Sequence, residues 1–130
     1  MIYLASPYSS PDECVRAQRF CATCRVAGHL MRHGYDIFSP IAHSHPIATL
    51  SGGLPKGWAF WGRVDRQFLR MCDELWVLTL PGWRESEGVR AEIEAWNTMD
   101  RDPLGPRARG RIRYVDADGV VSDEAPREDR

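Results

Sequence analysis

Leu75-Trp76-Val77-Leu78 is an unbroken apolar run, closed by Thr79-Leu80-Pro81-Gly82. A run without polar alternation reads as a strand buried on both faces, and the Pro-Gly pair ends it. Upstream, Trp61, Val64, Phe68 and Cys72 recur at helical spacing within residues 58–72. Downstream, Val89, Ile93 and Trp96 make one stripe over residues 86–99. A covered strand between two one-sided helices is the repeating unit of an α/β fold.

The N-terminal half repeats the unit. Residues 2–5 form a short apolar run closed by Ser6-Pro7-Tyr8-Ser9-Ser10-Pro11, and Val15, Phe20, Val26, Leu30 and Met31 fall mostly at helical spacing before Gly34. Residues 35–38 then read as a second strand. Residues 39–57 hold three prolines and three glycines with little periodicity, which predicts a long functional loop serving as a mobile cover for a ligand. After a Pro/Gly/Arg-rich break, residues 111–115 read as a last strand. Arg107, Arg109, Arg111 and Arg113 alternate there, as on an edge strand guarded by charge.

This order predicts a Rossmann-like or flavodoxin-like three-layer sandwich, with a small parallel sheet of four to five strands. Residues 1–118 would form one domain, followed by a polar, loose tail over 119–130. In such sheets ligands sit beyond the carboxyl ends of the strands.

The chain has 130 residues and a formal net charge of −1, so composition favours a small discrete ligand over polymeric nucleic acid. No apolar run is long enough to span a membrane. The four cysteines come without a signal peptide, which predicts reduced thiols in a cytoplasmic protein. Five tryptophans exceed what one small core readily hides, and predict a homo-oligomer.

Two acids interrupt the apolar stripes. Glu92 lies three residues after Val89 and four before Trp96; Asp65 lies four after Trp61 and three before Phe68. Helical geometry turns both inward. A buried carboxylate needs a partner or a purpose. Partners such as Arg63 or Arg90 are the simpler explanation for one acid alone, but two acids on helices flanking one strand favour catalysis. Ser86 opens the third helix with Gly82 and Gly88 beside it, so its hydroxyl and the free N–H groups suit a phosphate. The same serine can serve as an ordinary helix cap.

Tyr3-Leu4-Ala5-Ser6-Pro7-Tyr8, Asp65 before Cys72-Asp73-Glu74-Leu75, and Ser86-Glu87-Gly88-Val89-Arg90-Ala91-Glu92 together resemble the nucleoside 2-deoxyribosyltransferase superfamily, which includes the deoxynucleoside monophosphate N-glycosidases. The resemblance covers residues 1–99. It implies that Glu92 is a nucleophile, that Asp65 handles the nucleobase, that Ser86 and Gly88 contact a phosphate, and that Ser6 and Tyr8 border the sugar or base. The ligand would be a nucleoside or nucleotide, with no cofactor and no metal.

Three other features bear on binding. His43-Ser44-His45 lies in the expected loop, where His43 is a candidate substrate contact; Trp83 is a candidate stacking surface for a base. Cys21 and Cys24, with His29 and His33, fall within one helix and lack the second arm that a zinc site needs. The competing functions are a non-catalytic nucleotide sensor and, ranked below it, a phosphoribohydrolase, which would want a denser glycine run than residues 81–89 provide.

Overall fold

The computed structural model describes residues 1–99 and 111–128. Five strands, β1 (Ile2–Ala5), β2 (Ile37–Phe38), β3 (Glu74–Leu78), β4 (Ile112–Val115) and β5 (Val121–Ser122), form one sheet in the order β2-β1-β3-β4-β5. The first four run parallel; β5 returns antiparallel to β4. The helices are α1 (Glu13–Arg32), α2 (Pro40–Ser51), α3 (Trp58–Met71) and α4 (Glu87–Thr98).

Side-chain alternation along the central strands splits the core in two. Ile2, Leu4, Trp76 and Leu78 meet Val26, Ala27 and Leu30 of α1. Tyr3, Ala5, Leu75 and Val77 meet Leu69 of α3 and Val89 and Trp96 of α4. Both faces of β1 and β3 are therefore covered, which is why Leu75-Trp76-Val77-Leu78 shows no polar alternation. The expected three-layer α/β sandwich is what forms. Among the described residues no helix is long and apolar enough to cross a membrane.

Local chemistry sets the helix ends. The Asp12 carboxylate accepts from Cys14 N at 2.8 Å, and the Ser39 and Ser86 hydroxyls accept from Ala42 N at 3.1 Å and Val89 N at 3.2 Å. The helix α3 differs: Gly57 stands at its cap with φ 89° and supplies no side-chain bond.

Two expectations need correction. Residues 39–57 are not one long loop, because Pro40–Ser51 is helical and only 52–57 are irregular. Pro40 occupies the first turn, where no N–H is missed, and the helix tolerates Pro46 in its interior despite the bond that this proline cannot donate. The tail after residue 118 is not loose from its start. The Asp116 carboxylate accepts from Asp118 N and Val120 N, both at 2.9 Å, and turns the chain into β5. Strand β4 is thus no sheet edge. Arg111 and Arg113 pair with Asp123 at 3.7 and 2.9 Å, while Arg107 and Arg109 lie outside the described residues.

Candidate functional site

The connection leaving β1 runs to one side of the sheet and that leaving β3 to the other, so a crevice opens where their carboxyl ends diverge. A cavity of about 890 Å³ occupies this position. Its wall includes Ser6 and Tyr8 from the β1–α1 connection, Asp65 from α3, and Ser86, Gly88 and Glu92 from the start of α4. Six of the eight candidate residues, Ser6, Tyr8, Asp65, Ser86, Gly88 and Glu92, therefore share one cavity, and His43 and Trp83 do not.

Glu92 is 5% exposed, and its Oε2 has no hydrogen-bond partner among the described residues. Burial pushes its carboxyl up to about 8; the Tyr3 phenol opposes this, and the Asp65 charge adds to it. Tyr3 lies on β1 beneath Glu92, near enough to be felt, yet its own hydroxyl completes no hydrogen bond. Asp65 is half-buried, and burial raises it to about 6. Neither acid is held in an ion pair with Arg63, Arg90 or any other described cation. Between those values Glu92 keeps its proton while Asp65 has lost its own, so the two acids hold one proton there.

Other polar groups are left open around the same space. Ser6 is 3% exposed and its hydroxyl is unpartnered. The hydroxyl of Ser86 serves Val89 N. A Cβ at Gly88 would lie 3.9 Å from Ser86 Oγ and 4.0 Å from Glu92 Oε1, so glycine keeps the space between cap and carboxyl clear.

Two candidates belong elsewhere. His43 is exposed, near Phe38 and Phe68 at ring separations of 6.3 and 6.0 Å, and does not line the cavity. Residues two apart on a helix face nearly opposite ways, so once α2 forms it is His45 that turns inward. Its Nδ1 lies 2.5 Å from the Tyr8 hydroxyl and its ring stacks on Phe20 at 4.2 Å. Burial first, and the Arg16 charge second, lower its pKa and favour the neutral ring. Trp83 packs against Tyr114 at 5.7 Å under the Arg84 guanidinium, away from the cavity wall.

The aromatic wall comes instead from Trp58 and Trp61, which share a helical face with Asp65. Trp61, counted with the core stripe in the sequence, lines the cavity, and its indole N–H donates to Pro55 O at 3.1 Å. Gly62 lets the Trp58 ring lie flat on α3, since a Cβ there would come within 2.7 Å of the indole. The aromatic spacing ahead of Asp65 was the available signal for this wall; Arg16 and Lys56, which also line it, gave none, and His45 entered only through the His43-Ser44-His45 run. Among the described residues no group of three or more His, Cys, Asp or Glu gathers to hold a metal ion.

A buried acid with an idle oxygen, a second acid beside it, stacking surfaces and a helix start can together hold a polar ring system and attack an electron-poor carbon. A comparison with curated proteins finds no match. Residues 1–103 match the family model described as Domain of unknown function (DUF1937), which spans most of the chain, and the protein belongs to that family.

Proposed function

We propose that the protein cleaves the N-glycosidic bond of a nucleoside or nucleoside 5′-monophosphate through a glutamate nucleophile. The observation that carries this reading is the unpartnered, buried Oε2 of Glu92 beside Asp65 on the cavity wall. The resemblance to the nucleoside 2-deoxyribosyltransferase superfamily supports the same roles.

In the first step an oxygen of Glu92 bonds to C1′ as the C1′–N bond breaks, and that bond's electron pair leaves with the base. Glu92 holds the proton of the two acids at neutral pH, so this proton first passes through Asp65 to the departing base and leaves Glu92 as the attacking carboxylate. In the second step water attacks C1′, the ester to Glu92 breaks, and the water's proton passes to the Asp65 carboxylate. A second nucleobase in place of water gives transfer. Ser86 and the N–H groups at the start of α4 suit a 5′-phosphate, and Tyr8 with His45 borders the base. The reading includes a homo-oligomer, to be measured by sedimentation velocity.

The test is chromatographic. Incubation with the common nucleosides and their 5′-monophosphates should liberate free base, and Glu92→Ala should abolish it while circular dichroism stays unchanged. Calorimetric binding of a nucleotide with no base released by the wild type would replace this reading with a nucleotide sensor.

A further inference from the structure

Lys56 is the only lysine in the sequence; the other 16 of the 17 Lys and Arg side chains are arginine. This single ammonium group lies on the cavity wall. The wall is otherwise acidic, with Glu13, Asp65, Glu87 and Glu92 against Arg16 and Lys56. Arg16 is already committed, donating to the Ser10 carbonyl and lying 3.9 Å from Glu13. Lys56 has no hydrogen bond or ion pair among the described residues.

Open space surrounds its segment. Gly52, Gly53 and Gly57 take φ of 68°, 71° and 89°, and a Cβ on any of them would meet nothing within 4 Å. Between these glycines Trp61 holds the segment at a single point, the Pro55 carbonyl. The helix α3 starts beside Lys56 without a side-chain cap and without an acid in its first turn, which adds positive potential on the same side of the cavity. The Ser86 end is less favourable to a dianion, because Glu87 stands in the first turn of α4. With Glu13 facing Arg16 and Glu92 keeping its proton, Asp65 and Glu87 are the acids that a phosphate meets here; it needs a compensating cation, and one is uncommitted.

We propose that Lys56 is that cation, reaching across the cavity to a phosphate seated at Ser86, so that the cavity takes nucleoside monophosphates in preference to nucleosides. This rests on the N-glycosidase reading for the identity of the ligand, but its chemistry can be tested without turnover. Because no other lysine competes, the amide products of an amine-acetylating reagent report on Lys56 and the Met1 amine, which is held by Asp73 at 2.8 Å and serves as an internal reference.

Acetylation of Lys56, followed by mass spectrometry, should slow at least about 5-fold with saturating 2′-deoxynucleoside 5′-monophosphate from a panel of the four common bases, as an ion-paired amine is sequestered. The matching nucleosides should leave the rate unchanged, and Met1 should react equally throughout. In base-release assays Lys56→Ala should lower kcat/KM for the monophosphate about 10-fold more than for the nucleoside, mainly through KM, and Lys56→Arg should restore most of it. Unchanged acetylation under every monophosphate, or an equal effect of Lys56→Ala on both substrate forms, overturns the proposal. Protection without base release keeps Lys56 and defeats the glycosidase reading; base release without protection does the reverse.

Discussion

Glu92 has an ordinary pKa of 4.5 and is held at about 8 in the fold, so the folded state grips a proton that the unfolded chain gives up. Its contribution to stability is full below 4.5 and lost as pH rises toward 8. Urea midpoints should therefore show wild type losing a few kcal/mol from mildly acidic to mildly alkaline pH, with Glu92→Gln losing clearly less. In the proposed reaction the same carboxyl is the nucleophile. Base release should follow a bell with limbs near 6 and 8, since the carboxyl pair then shares one proton; Asp65→Asn should flatten one limb and cost about 100-fold in kcat. A flat pH profile would exclude the pair from the chemistry. Both acids were legible in the sequence because each breaks an apolar stripe at a position geometry turns inward. Lys56 and His45 were not, because their direction depends on how α2 ends and on which of its faces meets α1.

Among the elements, α1, α3, α4 and β3 announced themselves through periodicity or an unbroken apolar run, and their observed ends lie close to those expected. The helix α2 did not, because Pro40 and Pro46 suggest a break while a cap at Ser39 and packing against α1 and β1 outweigh them. At two residues, β5 is too short to carry a signal and exists through its pairing with β4. Within α3 the Trp58 indole depends on the bare backbone at Gly62, 2.7 Å from where a Cβ would lie. Gly62→Ala should lower thermal stability by about 1–3 kcal/mol through overpacking and shift the tryptophan fluorescence as that ring is displaced. An unchanged melting curve would mean that the ring swings aside freely.

For the whole molecule, the sheet ends on one side in β2, two residues long, and on the other in β5, which hides the hydrogen-bonding edge of the longer β4. Ending the chain after residue 120 should expose that edge, lower the melting temperature and raise light scattering on concentration. A monodisperse truncated protein would show that β4 needs no cover. The central place of β1 has another consequence. Its two partners, β2 and β3, both lie later in the chain, and the longer of these pairings joins Ile2 to Glu74. On the ribosome, α1 and β2 can cover Leu4 early, whereas Tyr3 emerges well before α3, β3 and α4 can close over its side of the sheet. Pairing of β1 with β3 therefore waits until β3 leaves the exit tunnel, and until then one face of β1 stays open to solvent.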